Sequence, residues 1–357
     1  MKKEEFAEVV SPYLKNLMDK IEKKQGKESS AYKALYYQYI KTNNEYEQMR
    51  ETKQKHYEAI VNADNGLRFV ERLYKRQATV DLTMACSAHC RYCLRQNYSV
   101  YQMSEDAEQQ IVDYLSQDPF LKEVLITGGD PLLDYEKLIH IMDKIIKEAP
   151  NIRIIRIGTR LPVQNPEYLN NKILEFFSDN RNKVYFEVAL QINHVIEFQE
   201  ETERCIRELQ SVGVTIYSQN VLLKDVNDSM ESLIQLYDTL RYQRVESHYL
   251  FHPVPIVRTA QFRMPLTRFL QFSKELTASG EIPGRCKPMF SIMTDVGKCT
   301  LYHGTIGGKS PEGFYDIYTG YSLEERYKWN PNYRLPEGTR VDKAGKIIVK
   351  YLDGDRI

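Results

Sequence analysis

From residue 78 onward, the hydrophobic pattern of the chain alternates between short β-rich runs and amphipathic helical stretches. Strands are predicted at residues 78–84, 123–127, 152–158, 184–190, 214–222 and 245–251. Helices are predicted at residues 105–117, 134–149, 166–178, 197–211, 228–242 and 266–278. Successive βα units form a parallel sheet with right-handed crossovers. The sequence therefore predicts an α/β fold, a partial (β/α)6 barrel that is open on one side.

The two ends of the chain have different patterns. The pattern of residues 1–75 predicts helices. The first helix has one apolar stripe, and the spacing of the tyrosine-rich second helix favours a face that packs against the main body or a second subunit. After residue 285 the pattern predicts a hairpin of residues 289–294 and 298–302 and a last strand at residues 346–351. We therefore divide the chain into an N-terminal helical region (1–75), a barrel (76–285) and a C-terminal hairpin and capping tail (286–357) that covers the open side.

Three cysteines, Cys86, Cys90 and Cys93, follow the first predicted strand. Catalytic groups of barrels lie at the carboxyl ends of their strands. Iron–sulfur clusters normally take four cysteines, so a CxxxCxxC loop predicts a [4Fe–4S] cluster with one iron open to another ligand. The amino and carboxylate groups of S-adenosylmethionine are the expected ligand, and reductive cleavage of its sulfonium gives a 5′-deoxyadenosyl radical. A zinc site that includes His89 is the weaker alternative, because no second CxxC or HxxxH element is present.

Composition limits the remaining function classes. Lys plus Arg and Asp plus Glu both number 49, so no global field favours nucleic acid or an anionic membrane. No apolar run approaches the roughly 18 residues that span a bilayer, and the first residues carry no apolar signal core. We expect a cytoplasmic protein without nucleic-acid or membrane partners. Cys205, Cys286 and Cys299 lack ligand spacing and are expected to be reduced and buried.

Polar and glycine residues follow the later strands and would meet the cysteine loop at the same end of the barrel. Glycines let backbone approach a ligand closely, and a carboxylate can accept from an ammonium group. We therefore predict a pocket for S-adenosylmethionine. Its candidate residues are Gly128, Gly129, Asp130, Arg156, Thr159, Arg160, Gln191 and Gln219.

Several segments together resemble the lysine 2,3-aminomutase family of radical SAM enzymes. They are the cysteine loop, residues 126–133 (ITGGDPLL), 156–160 (RIGTR), 219–223 (QNVLL) and 225–228. The resemblance covers about residues 68–290 and implies a partial barrel of the radical SAM type that holds the cluster, S-adenosylmethionine and pyridoxal phosphate. It implies abstraction of a β-hydrogen from an amino acid, followed by migration of the nitrogen.

The resemblance also implies roles for individual residues. Arg95 would bind the substrate carboxylate, although a surface salt bridge is an equal alternative. Tyr74 and Arg76 would hold the phosphate of pyridoxal phosphate. The glycine-rich run that carries the family's pyridoxal lysine has no counterpart here; Lys298 is the candidate and Lys309 a weaker one, with ordinary solvated turn lysines as the alternative.

The substrate is expected to be an amino acid other than lysine. The acidic residue that recognises the distal amine is missing, and residues 251–258 are apolar and basic, with His252 and Arg258 as candidate contacts. We expect an external electron donor of the flavodoxin or ferredoxin type and a homo-oligomer. A radical SAM isomerase, lyase or peptide-modifying enzyme without pyridoxal phosphate is the alternative, and a non-catalytic iron–sulfur protein a more remote one.

Overall fold

A curled sheet of nine strands, in the order β1 to β9, forms the centre of the fold. The computed structural model describes residues 6–46, 67, 69–97 and 103–354. The strands are β1 (Val70–Glu71), β2 (Gln77–Thr83), β3 (Glu123–Gly128), β4 (Ile154–Thr159), β5 (Tyr185–Leu190), β6 (Thr215–Val221), β7 (Glu246–Phe251), β8 (Met289–Thr294) and β9 (Gly297–Thr300). β2 to β8 are parallel, whereas β1 and β9 pair antiparallel at the two edges. The predicted α/β partial barrel is confirmed.

Helices precede the sheet or connect its strands, and the longer ones bury one apolar face each. They are α1 (Pro12–Gln25), α2 (Ser30–Tyr39), α3 (Glu105–Gln117), α4 (Tyr135–Glu148), α5 (Leu161–Gln164), α6 (Asn171–Asn180), α7 (Glu200–Ser211), α8 (Met230–Tyr242) and α9 (Leu266–Ala278). In α4 the buried positions recur at three- and four-residue spacing. Serines cap α3 and α8 by accepting from the first-turn backbone N–H groups. The helix predicted from residue 166 begins only at residue 171, where Asn170 supplies the cap.

The hairpin after α9 continues the barrel sheet. β8 pairs in parallel with β7, so α9 is a crossover helix like those before it. The chain then turns back into β9, and Gly297 adopts φ +131°, which favours glycine. β8 therefore adds a further parallel strand beyond the six predicted ones.

A second sheet follows, in the order β10 (Ile306–Lys309), β11 (Phe314–Ser322), β13 (Lys346–Leu352) and β12 (Arg340–Val341), with α10 (Leu323–Trp329) between β11 and β12. It is anchored to the segment after β7. The Tyr351 hydroxyl lies 3.2 Å from the carbonyl oxygen of Pro253, and Arg263 donates to the carbonyl of Asp353 at 3.0 Å. The tail thereby holds one wall of the barrel mouth.

α1 and α2 pack on the cysteine loop from outside the barrel. Their buried face includes Leu14, Leu35 and Tyr39, and it meets Ala88 between the first two cysteines. The tyrosine-rich face of α2 is thus a packing surface against the main body. Within the ranges given above, no helix combines the length and apolar character needed to cross a membrane.

Candidate active site

A cavity of about 350 Å³ opens at the carboxyl ends of the parallel strands. Cys86, Cys90 and Cys93 line it from the loop that follows β2. The loop after β3 and the ends of β4, β5 and β6 supply further lining residues, and β9 supplies Lys298. The lining residues predicted from the sequence are Tyr74, Arg95, Gly128, Gly129, Asp130, Thr159, Arg160, Gln191, Gln219, His252 and Lys298.

The cysteine loop suits a cluster by the chemistry of its donors. All three thiols are free and partly buried. Burial and then the neighbouring thiols raise the pKa of Cys86, and burial with Cys90 raises that of Cys93 to about 11. Thiolates crowded in this way are stabilised by cationic iron. No three His, Cys, Asp or Glu side chains in the described ranges converge on a point that could hold a single ion. In a cubane each cysteine binds a different iron, so such convergence is not required.

The N-terminal segment holds the outer side of this loop. The Arg91 guanidinium is fully buried and pairs with Glu45 at 2.6 Å. It also donates to the carbonyls of Ala7 at 3.0 Å and Phe6 at 3.1 Å. The His89 ring stacks on Phe6 with centroids 4.8 Å apart, and its Nδ1 lies 2.9 Å from the Ala7 carbonyl oxygen. Arg91 and Glu45 were not predicted as site residues from the sequence, in which the arginine inside the cysteine motif was the available signal.

The glycine turn after β3 holds the inner side of the loop. A Cβ on Gly128 would lie 2.2 Å from the Thr83 carbonyl oxygen, and one on Gly129 would lie 2.1 Å from that of Ala85. The two glycines therefore permit backbone to approach backbone just before Cys86. Asp130 is buried, and burial raises its pKa although its carboxylate accepts from the Thr159 hydroxyl at 2.7 Å. Its oxygens bridge the turn to the end of β4.

Arg160 lies at the end of β4 with its side chain 6% exposed. Its guanidinium donates to the sulfur of Cys90 at 3.1 Å and to the Tyr92 hydroxyl, and it pairs with buried Glu197. Gln164 also donates to the Cys90 sulfur, at 3.3 Å. The guanidinium is thus directed at the cysteine loop. Gln164 was not predicted as a site residue, because a glutamine in a short loop helix carries no sequence signal.

Arg156 and Arg76 lie elsewhere than expected. Arg156 sits before the end of β4 and pairs with Glu123 at 3.2 Å and Glu187 at 2.9 Å. Arg76 is exposed just before β2, at the end of the barrel opposite the cysteine loop. Neither lines the cavity. Arg156 and Arg76 were expected to contact cofactors at the mouth, and their positions correct this expectation. These positions follow from where β2 and β4 begin and end.

Arg95 lines the cavity but is already engaged. It forms a salt bridge with Asp81 and a second with Glu71 at 3.3 Å. Its side chain is 15% exposed, so these pairs are largely shielded from solvent. Arg95 therefore pairs with two carboxylates of the protein, and these ion pairs are less exposed than the expected surface salt bridge.

Lys298 faces the cavity from β9 and is surrounded by aromatic rings. Its ammonium lies 5.1 Å from the Tyr249 ring centroid and 5.6 Å from that of Phe251. Burial and then Arg156 lower the pKa of Lys298 to about 8. The Tyr74 hydroxyl accepts from the Lys298 backbone N–H at 2.9 Å. The alternative of a solvated turn lysine is therefore wrong; the exposure that remains is toward the cavity.

The weaker candidates have structural partners. His252 is fully buried, with Nδ1 2.8 Å from the Tyr351 hydroxyl and Nε2 2.8 Å from the Met264 carbonyl oxygen. Burial lowers its pKa to about 3, so the ring is neutral. Arg258 donates to Gln96 at 3.0 Å. Lys309 pairs with Asp353 at 2.6 Å and lies outside the cavity lining.

Comparison with known proteins shows what the segment that carries this site is similar to. Residues 80–237 match the family model of the Radical SAM superfamily. A putative L-lysine 2,3-aminomutase of Aquifex aeolicus is 30% identical over 232 residues, which cover 63% of this chain and 60% of that protein. The L-lysine 2,3-aminomutase of Acetoanaerobium sticklandii is 29% identical over 304 residues, which cover 79% of this chain and 69% of that protein.

Among solved structures, that of Streptococcus suis SuiB bound to precursor peptide SuiA is similar with a TM-score of 0.48 and 14% identity, covering 63% of this chain and 50% of that one. A likeness this remote bears on neither substrate nor reaction. The chain spans about 60% of the length of the Aquifex relative. The matched region contains the cysteine loop, the glycine turn and the end of β4. The chain therefore contains a segment that matches the Radical SAM superfamily, and it is similar to the lysine 2,3-aminomutases.

Proposed function

We propose that the chain cleaves S-adenosylmethionine to a 5′-deoxyadenosyl radical that abstracts hydrogen from an amino acid other than lysine, in an aminomutase-type rearrangement. One observation carries the proposal: the cysteine loop, the glycine turn and the amine of Lys298 line one cavity. Cys86, Cys90 and Cys93 would hold the [4Fe–4S] cluster. When bound and reduced, the cluster supplies the electron that breaks the sulfonium bond. An external flavodoxin- or ferredoxin-type protein would reduce it.

The protein's own residues would position the reactants and keep water out. The backbone of Gly128 and Gly129 fixes the mouth against the segment that leads into Cys86. Asp130 and Thr159 tie this turn to β4 through their 2.7 Å hydrogen bond. Apolar atoms dominate the cavity wall, which would shield a radical from solvent.

The charges of the cavity support a substrate without a second ammonium group. Of the lining carboxylates, Glu71 pairs with Arg95 and Asp130 accepts from Thr159 and the backbone N–H of Arg160. The Lys298 amine would repel a side-chain ammonium such as that of lysine. A neutral or acidic side chain is therefore the better complement.

Pyridoxal phosphate is only partly matched by the residues that the resemblance assigned to it. Tyr74 and Lys298 adjoin one another in the cavity. Arg76, the expected phosphate ligand, is exposed and lies outside the cavity lining. We therefore derive no step through this cofactor. The position of Arg76 favours, as a second candidate, a radical SAM isomerase, lyase or peptide-modifying enzyme that works without pyridoxal phosphate.

The test is release of 5′-deoxyadenosine from S-adenosylmethionine by anaerobically reconstituted protein with dithionite. Cys90→Ser should abolish the release, whereas Cys205→Ser, on α7 away from the loop, should retain it. Wild-type protein that binds the cluster but releases no 5′-deoxyadenosine would refute the proposal.

A second measurement separates the two candidates. Borohydride treatment of the purified protein, followed by peptide mass spectrometry, would reveal any lysine that carries a reduced pyridoxyl group. Modification of Lys298 would support the aminomutase-type reaction. Radical formation without any modified lysine would support the candidate that works without pyridoxal phosphate.

A further inference from the structure

We propose that Arg160 and Gln164 tune the reduction potential of the cluster by donating hydrogen bonds to the sulfur of Cys90. This inference rests on the cluster of the proposed function. The Arg160 Nη1 lies 3.1 Å from the sulfur and the Gln164 Nε2 lies 3.3 Å from it. Arg160 and Gln164 are 5% and 2% exposed. Hydrogen bonds to cluster sulfurs and nearby charge are the protein's means of setting such potentials.

The direction of the effect follows from charge. Reduction adds an electron to the cluster, and part of the added charge resides on the sulfurs. A guanidinium and an amide N–H pointed at one sulfur stabilise the reduced form more than the oxidised form. Because both donors are buried, water screens this interaction little. Arg160 and Gln164 should therefore raise the potential and make the cluster easier to reduce.

A buried polar network fixes the guanidinium in this orientation. Its Nη2 pairs with Glu197 and donates to the Gln38 Oε1 at 3.2 Å. The same Gln38 oxygen accepts from Asn193 at 3.0 Å, and the Tyr39 ring lies 5.2 Å from the guanidinium carbon. Gln38 and Tyr39 belong to α2, so the N-terminal helices complete a network whose centre is the cysteine loop. This gives the helical extension a function beyond covering the barrel.

The experiment is a redox titration of the reconstituted protein, followed by electron paramagnetic resonance, in four variants. Arg160→Gln removes the positive charge, and Arg160→Lys keeps the charge but removes the planar guanidinium with its several N–H donors. Gln164→Leu removes the neutral donor. Arg204→Gln is the matched control, since Arg204 is 52% exposed on α7. Iron content and circular dichroism establish that each variant is folded and loaded.

At the wild-type midpoint, we expect the ratio of reduced to oxidised cluster to fall about tenfold in Arg160→Gln, which corresponds to about 59 mV for one electron. The ratio of reduced to oxidised cluster should fall less in Arg160→Lys and in Gln164→Leu. In Arg204→Gln it should equal that of the wild type. The proposal is overturned if Arg160→Gln and Gln164→Leu proteins that hold the cluster both have the same reduction potential as Arg204→Gln. If Arg160→Gln does not hold a cluster, Gln164→Leu decides: a lower potential supports the proposal and an unchanged one overturns it.

The two proposals fail separately. The titration needs neither substrate nor turnover, so a shifted potential in protein that releases no 5′-deoxyadenosine would refute the proposed function alone. Normal release with unshifted potentials would refute the tuning role alone.

Discussion

Gly129→Ala tests how the glycine turn holds the cysteine loop. A Cβ at this position would lie 2.1 Å from the Ala85 carbonyl oxygen and 2.7 Å from the Met84 carbonyl carbon. Both neighbours are backbone atoms, so no side-chain rotation can relieve the contact. Overpacking costs about 1–3 kcal/mol, and separation of the turns would also break the 2.8 Å hydrogen bond from the Asp130 N–H to Ala85, worth about 1 kcal/mol. We expect a loss of about 2–4 kcal/mol in the free energy of unfolding.

Urea unfolding followed by circular dichroism measures this loss, and iron content measures its effect on cluster binding. Gly308→Ala is the control, because its Cβ would meet nothing within 4 Å and its φ is not positive. The control should stay within about 0.5 kcal/mol of the wild type. If Gly129→Ala protein has the same free energy of unfolding as Gly308→Ala and its full iron content, the close backbone packing at Gly129 is refuted.

Three further substitutions test other parts of the site. Glu45→Gln breaks the buried ion pair with Arg91 and should cost about 3–5 kcal/mol in urea unfolding; unchanged stability would contradict this. Tyr351→Phe leaves the Nδ1 of His252 without its donor and should cost about 1–3 kcal/mol by the same measurement; a neutral effect would count against that bond. Lys298→Met should stabilise the protein at pH 7, since the unfolded chain holds the lysine proton up to about pH 10.5 and the folded chain only up to about 8. The gain should shrink as pH rises from 8 to 10.5, and a gain independent of pH would refute the lowered pKa.

The barrel could be predicted from the sequence because its signals are local. Each parallel strand is a short apolar run, and each crossover helix has a stripe at helical spacing. The cysteine loop could be placed as well, since the residues after β2 must lie at the carboxyl end of that strand. The order of the elements along the chain therefore predicts that the cysteines, the glycine turn and the end of β4 lie together.

Side-chain direction could not be predicted in the same way. Arg156 and Arg160 belong to one short motif, yet Arg156 pairs with Glu123 on the neighbouring strand, whereas Arg160 turns toward Cys90. The direction in which each arginine side chain points depends on where β4 ends and on partners that are distant in sequence. The environment of Lys298 could not be predicted for a related reason. Its sequence is typical of a solvated turn, but β8 pairs with β7, and β9, which pairs with β8, therefore lies at the cavity.

The cysteine loop should keep its shape without a cluster, because protein holds it on both sides. The His89 N–H donates to the Val9 carbonyl and the Arg91 N–H to the Gln38 carbonyl, each at 2.8 Å, so both amides are bonded to the N-terminal extension. In cluster-free protein we expect both amides to exchange hydrogen slowly, with protection that Glu45→Gln reduces because it releases the Arg91 side chain. Hydrogen exchange with mass spectrometry measures this. Exchange at the rate of an unfolded chain in the cluster-free protein, and protection only after reconstitution, would mean that the cluster shapes the loop.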